Sequence, residues 1–122
     1  MARILIVEDD YALGVLLGAA LNGAGHRITL AADGSKGLDA AGRERVDLMI
    51  ADLVMPGMSG RELIRAVRKA HPDVKIVAMS GQFAGDRGTS GLARTLGADA
   101  VLAKPFHLKN VRDTVTRCLA AA

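Results

Sequence analysis

Six polar residues in this 122-residue chain stand at the ends of short apolar runs, and their types suit one kind of chemistry. Glu8, Asp9 and Asp10 follow Arg3-Ile4-Leu5-Ile6-Val7; Asp52 follows the run ending in Ala51; Ser80 follows Met79; Lys104 follows Ala103. Carboxylates brought to one place repel one another and call for a cation. Oxygen-only ligation with few protein ligands suits magnesium, Mg2+, which keeps several waters and shares its shell with phosphate. A lysine beside them offers fixed positive charge to a phosphoryl oxygen, and a serine offers a hydroxyl donor. The set describes a site for phosphoryl transfer, in which a protein positions groups and offsets charge. Singly, each residue has a plainer use. The acidic triplet suits a helix N-terminus, Ser80 a cap, Asp52 a loop before a turn, and Lys104 the surface. Their joint occurrence at the ends of separate runs favours one site.

The elements that must position them are legible in the same runs. Arg3 to Val7, Arg27 to Ala31, Asp47 to Ala51, Val74 to Met79 and Ala100 to Ala103 are rich in Ile, Leu, Val and Ala without in/out alternation. That is the pattern of strands covered on both faces. Helical spacing lies between them: Asp10 to Ala24, with Leu13, Leu16, Leu17, Ala20 and Leu21 inward; Ser59 to Ala70; and Leu108 to Ala121. Asp33 to Gly42 reads as a shorter helix capped by Asp33. Gly81, Gly85, Gly88 and Gly91 oppose helix, so only about Thr89 to Leu96 is expected to be helical in that stretch. Strands alternating with helices predict an α/β fold, a doubly wound, five-stranded parallel sheet with helices on both faces. Ligands of such sheets bind beyond the carboxyl ends of the strands, where all six polar residues fall. One domain over residues 1–122 is expected, with no linker or repeat and nothing left to form an output domain.

Composition narrows the function further. Sixteen Lys and Arg against thirteen Asp and Glu give +3, too small an excess to argue for nucleic acid or an acidic membrane. With only Tyr11, Phe83 and Phe106, the chain lacks rings for stacking bases. No apolar run approaches a membrane span and no secretory signal is evident, so a cytoplasmic protein is expected. Cys118 alone excludes an internal disulfide and is read as a packing residue.

The sequence resembles the receiver domain of two-component response regulators, of the stand-alone chemotaxis type, across essentially its whole length. The residues that carry the likeness are Ile4-Leu5-Ile6-Val7-Glu8-Asp9-Asp10, Asp52-Leu53-Val54-Met55-Pro56-Gly57-Met58-Ser59-Gly60, Met79-Ser80-Gly81, Gly97-Ala98-Asp99-Ala100 and Lys104-Pro105-Phe106. The resemblance implies a flavodoxin-like (βα)5 fold with strand order 2-1-3-4-5. It implies that Asp52 accepts the phosphoryl group, and that Asp9, Asp10, Asp52 and the backbone carbonyl of Val54 hold Mg2+. Ser80 and Lys104 would each bind a phosphoryl oxygen, with a cis Lys104-Pro105 bond. The donor would be a histidine kinase or a histidine phosphotransfer protein. Output would run through the face of the fourth helix, fifth strand and fifth helix to a downstream protein, the chain being a monomer or weak dimer. It would be a switch that assists its own phosphorylation and dephosphorylation rather than an enzyme.

Three positions depart from the family pattern. Val101 stands where an aromatic is usual, the segment between Ser80 and Gly97 is longer and glycine-rich, and Val54 has no polar atom to orient a hydrolytic water. Valine at 54 also counts against an aspartyl-phosphate phosphohydrolase, which normally needs a second aspartate two residues after the first. No Gly-x-Gly-x-x-Gly follows the first strand, which excludes a dinucleotide binder. A Ser80/Lys104 hydrolase lacks an oxyanion loop, and the intact acidic set argues against a degenerate docking module. His26, His71 and His107 read as boundary residues, and Arg61, Arg65 and Arg68 as a solvated basic helix face.

Overall fold

A computed structural model describes residues 1–81 and 93–121. The chain runs β1 (Arg3–Val7), α1 (Tyr11–Gly23), β2 (Arg27–Ala31), α2 (Gly34–Arg43), β3 (Leu48–Asp52), α3 (Gly60–Ala70), β4 (Lys75–Ser80), a helical turn α4 at 93–96, β5 (Ala100–Ala103) and α5 (Leu108–Ala120). The five strands form one sheet in the order β2-β1-β3-β4-β5, and every neighbouring pair is parallel. The expected fold class and strand order are thus observed. The glycine-rich stretch from Gly85 to Gly91 and the start of the helix expected over Thr89 to Leu96 lie outside the described residues.

Successive side chains of a strand point to opposite faces, and here both faces are covered. Leu5, Val7, Met49, Ala51, Ile76 and Ala78 meet Leu63, Ile64 and Val67 of α3 in one apolar layer. Ile4, Ile6, Leu48, Ile50, Val77 and Met79 meet Leu17 and Leu21 of α1 and Val111, Val115 and Cys118 of α5 in the other. Burying each large aliphatic contributes about 1.5–3 kcal/mol, so the central strands are anchored from both sides. Cys118 packs as expected, and burial pushes its thiol pKa up.

Helix starts follow local chemistry. Asp10, Asp33 and Ser59 cap α1, α2 and α3 by accepting the N–H of Leu13, Lys36 and Glu62. At α3 the Glu62 side chain reciprocates by accepting from the Ser59 N–H, which completes a capping box. Two strands begin and end one residue later than periodicity predicts, because Asp52 and Ser80 still pair in register with Met79 and Ala103.

Two inward faces differ from expectation. In α1 the buried residues are Gly14, Leu17, Gly18 and Leu21, while Leu16 is 51% exposed. The helix seats on its glycines: a Cβ at Gly18 would lie 3.3 Å from Ile28 Cγ2. Arg68 is not part of a solvated face. Its guanidinium donates to the carbonyls of Gly97, Pro72 and Val74 and pairs with Asp99 at 2.9 Å. Asp99 also accepts the Ile76 N–H at 2.8 Å, so α3, the turn before β4 and the start of β5 are bolted together.

Candidate functional site

Strand order reverses at β1, since the chain proceeds from β1 to β2 on one side and returns to β3 on the other. The connections from the ends of β1 and β3 therefore diverge, leaving a crevice at their carboxyl ends. Asp52 ends β3 there, and the Glu8 N–H continues the β1 ladder by donating to the Ala31 carbonyl at 3.0 Å. Ser80 ends β4, and Lys104 follows β5 with its N–H donating to the Ser80 carbonyl at 2.8 Å. The peptide bond from Lys104 to Pro105 is cis, as expected.

Lys104 Nζ lies 2.6 Å from Asp52 Oδ2 and 3.4 Å from Glu8 Oε1. Asp52 Oδ1 accepts the Val54 N–H at 3.0 Å, so both carboxylate oxygens are held. The Asp52 side chain is 8% exposed and that of Glu8 only 1%. Burial is the main reason that the Glu8 pKa is raised to about 7; the Asp9 side chain and the Asp52 charge push the same way, against the Asp10 N–H and Lys104. For Lys104, burial favours the neutral amine, but the hydrogen bond and charge of Asp52, with those of Glu8, outweigh it and raise the pKa.

Among the described residues, Glu8, Asp9 and Asp52 place carboxylate oxygens within 4.8 Å of one another. Asp10, expected with Asp9 and Asp52 at the metal, is not in this group. Its Oδ1 accepts the Leu13 N–H at 3.2 Å, so the helix-start use applies to Asp10. Glu8, one of the acids that the sequence brings to the site but to which the resemblance gives no role, takes its place in the cluster. Pairing with β2 extends one residue past Val7 to the Glu8 N–H, and the Glu8 side chain meets Lys104.

The remaining site residues are placed as follows. Ser80 is buried, 5% exposed, at the end of β4. The Val54 side chain points outward, 59% exposed, while its amide is tied to Asp52. Val101 is buried in the layer that contains Ala78, its partner in the sheet. The histidines are boundary residues: His26 Nδ1 accepts the Ala2 N–H, His71 ends α3, and His107 precedes α5 without capping it. No helix among the described residues is long and apolar enough to cross a membrane.

The geometry is that of two buried carboxylates, a third at the rim, and one ammonium group. Such a set can hold a hard divalent cation and present Asp52 to an electrophile whose oxygens face Lys104. Comparison with known proteins points the same way. The profile of the response regulator receiver domain matches residues 4–116. The chain is 32% identical over 117 residues to sporulation initiation phosphotransferase F of Bacillus subtilis, covering 96% of this chain and 93% of that one. It is 35% identical to the response regulator receiver protein CpdR of Brucella abortus, covering 100% of both. Other relatives are longer, and the chain spans 34% and 12% of two of them. Among solved structures, the response regulator TrrA of Thermotoga maritima, in complex with Mg(2+)-BeF, superposes with a TM-score of 0.83 at 30% identity, covering 97% of this chain and 99% of that one.

Proposed function

The chain belongs to the response regulator receiver domain family of two-component signalling, and on that premise we propose that Asp52 is its phosphoryl acceptor. The observation that carries the reading is the pairing of buried Asp52 with Lys104 Nζ at 2.6 Å inside an acidic cluster. A receiver is a signalling switch, and the proposal reads residues 1–122 as one such domain.

An Asp52 oxygen attacks phosphorus in line, the P–N bond to the donor's histidine breaks, and the imidazole nitrogen keeps the electron pair. Lys104 leaves its carboxylate partners to meet a phosphoryl oxygen, and Ser80 donates its hydroxyl to another. Three clustered carboxylate oxygens, one of them on a Glu8 that crowding and burial hold back from ionising, fit a divalent cation. Asp9, Asp52 and Glu8, with the backbone carbonyl of Val54, would hold Mg2+, and bound there it offsets charge on the equatorial oxygens. Water later attacks the phosphorus, breaking its bond to Asp52 and releasing phosphate. Val54, apolar and turned outward, gives that water no polar atom to orient it. The domain in this way assists both steps, and the donor is a histidine kinase or a histidine phosphotransfer protein in the cytoplasm. The signal passes to a downstream protein, with no direct contact to nucleic acid.

Incubation with Mg2+ and a small acyl phosphate, followed by intact mass, tests the reading. Wild type gains one acid-labile phosphate and Asp52→Asn gains none. A phosphate on Asp52→Asn places the acceptor elsewhere.

A further inference from the structure

Gly60 is the first residue of α3, and it rests on the peptide that carries Asp52. A Cβ built there would lie 2.5 Å from Leu53 Cα and 2.8 Å from the Asp52 carbonyl carbon, and closer still to the Asp52 carbonyl oxygen. All three neighbours are backbone atoms, so no rotamer change relieves the overlap. Gly60 does not have a positive φ, so the position uses its missing side chain rather than its backbone freedom. By contrast, nothing lies within 4 Å of a Cβ at Gly42.

Hydrogen bonds show what this close approach secures. The Gly60 N–H donates to the Leu53 carbonyl at 3.2 Å, and the Leu53 N–H donates to the Met79 carbonyl at 3.0 Å. Leu53, the residue after the acceptor, is thus held through its N–H by β4 and through its carbonyl by the first turn of α3. The Gly60 bond also closes residues 54–59 into a loop, whose start is tied by the Val54 N–H to Asp52 Oδ1. The capping box of Ser59 and Glu62 holds that turn in place.

We propose that Gly60 is a positioning residue for phosphoryl acceptance: its lack of a side chain lets α3 seat on the Asp52–Leu53 peptide and so sets where the Asp52 carboxylate and the Val54 carbonyl stand. The inference rests on the reading of Asp52 as acceptor. An added methyl must displace α3 or the acceptor backbone by about 1 Å, and a misplacement of that size in a reacting group costs on the order of 100-fold in rate.

The test compares wild type, Gly60→Ala and Val67→Ala. Val67 is fully buried on the same helix, so its truncation destabilises α3 without adding atoms beside Asp52. The rate of phosphorylation by acyl phosphate and the Mg2+ affinity are measured per folded molecule, with the folded fraction taken from circular dichroism in the same buffer. Gly60→Ala is expected to lose about 10- to 100-fold in rate and to bind Mg2+ more weakly, while Val67→Ala keeps both. Wild-type values for Gly60→Ala overturn the proposal, and so does an equal loss in Val67→Ala. If Gly60→Ala does not fold, Ser59→Ala decides, because it loosens the same turn without adding atoms: weaker Mg2+ binding supports the proposal and unchanged binding overturns it. Failure of wild type to take phosphate overturns the acceptor reading instead, and Mg2+ affinity then still decides whether Gly60 sets the site.

Discussion

Glu8 makes folding stability depend on pH in a direction opposite to that of a salt-bridged carboxylate. Its pKa is about 7 in the folded protein against 4.5 for an ordinary glutamate, chiefly because burial disfavours the charged form. Between those values the folded state keeps a proton that the unfolded state has lost. Folding is therefore linked to proton uptake, and stability falls as pH rises through this window. At 1.36 kcal/mol per pKa unit, the full cost reached above pH 7 is about 3 kcal/mol. Glu8→Gln keeps an acceptor for the Asp10 N–H, which Glu8 Oε2 now receives at 3.2 Å, but removes the titration. Urea unfolding without metal from pH 5 to pH 8 should show the variant gaining on wild type by up to about 3 kcal/mol. Taking the difference between the two proteins cancels every contribution that they share. Mg2+ should stabilise wild type more at pH 8 than at pH 5, since it binds the ionised carboxylate. Parallel curves for the two proteins would refute the argument, because they would show that Glu8 ionises alike in both states.

Two further outcomes follow from the geometry. Asp10→Ala should cost about 1 kcal/mol through loss of the α1 cap and leave Mg2+ affinity near wild type, whereas Asp9→Ala should weaken Mg2+ binding at little cost in stability; paired urea and Mg2+ titrations check this. Arg68→Ala removes donors to three carbonyls and to Asp99 and should destabilise by about 2 kcal/mol, read as a lower urea midpoint at unchanged slope.

Much of this molecule was legible because its strands are short and apolar and four of the five end in a reactive group. Asp52, Ser80 and Lys104 fall at one edge on sequence alone, since a parallel sheet sends every carboxyl end the same way. The acidic triplet was harder. Composition does not show where a strand stops, and one more residue of pairing decides that Glu8 faces the crevice while Asp10 starts a helix. In α1, periodicity ranks leucine above glycine as an inward residue. The helix instead buries Gly14 and Gly18, the latter in close approach to Ile28 of β2, and Leu16 turns outward. Arg68 was illegible for a different reason. Two of its partners, Gly97 and Asp99, are 29 and 31 residues away, and local spacing carries no information about them.

Strand order also divides the site by resistance to local opening. β3 is buried at all five positions and hydrogen-bonded between β1 and β4, so its amides exchange with solvent only when the whole domain opens. β5 has four residues and a single neighbour in the sheet. The carboxylates at the ends of β1 and β3 thus sit on the interior of the sheet, while the ammonium group of Lys104 hangs from an edge strand. Excursions that detach β5 remove the cation from the pocket and leave the anionic platform assembled. The charge balance of the crevice can therefore vary on a faster timescale than its shape.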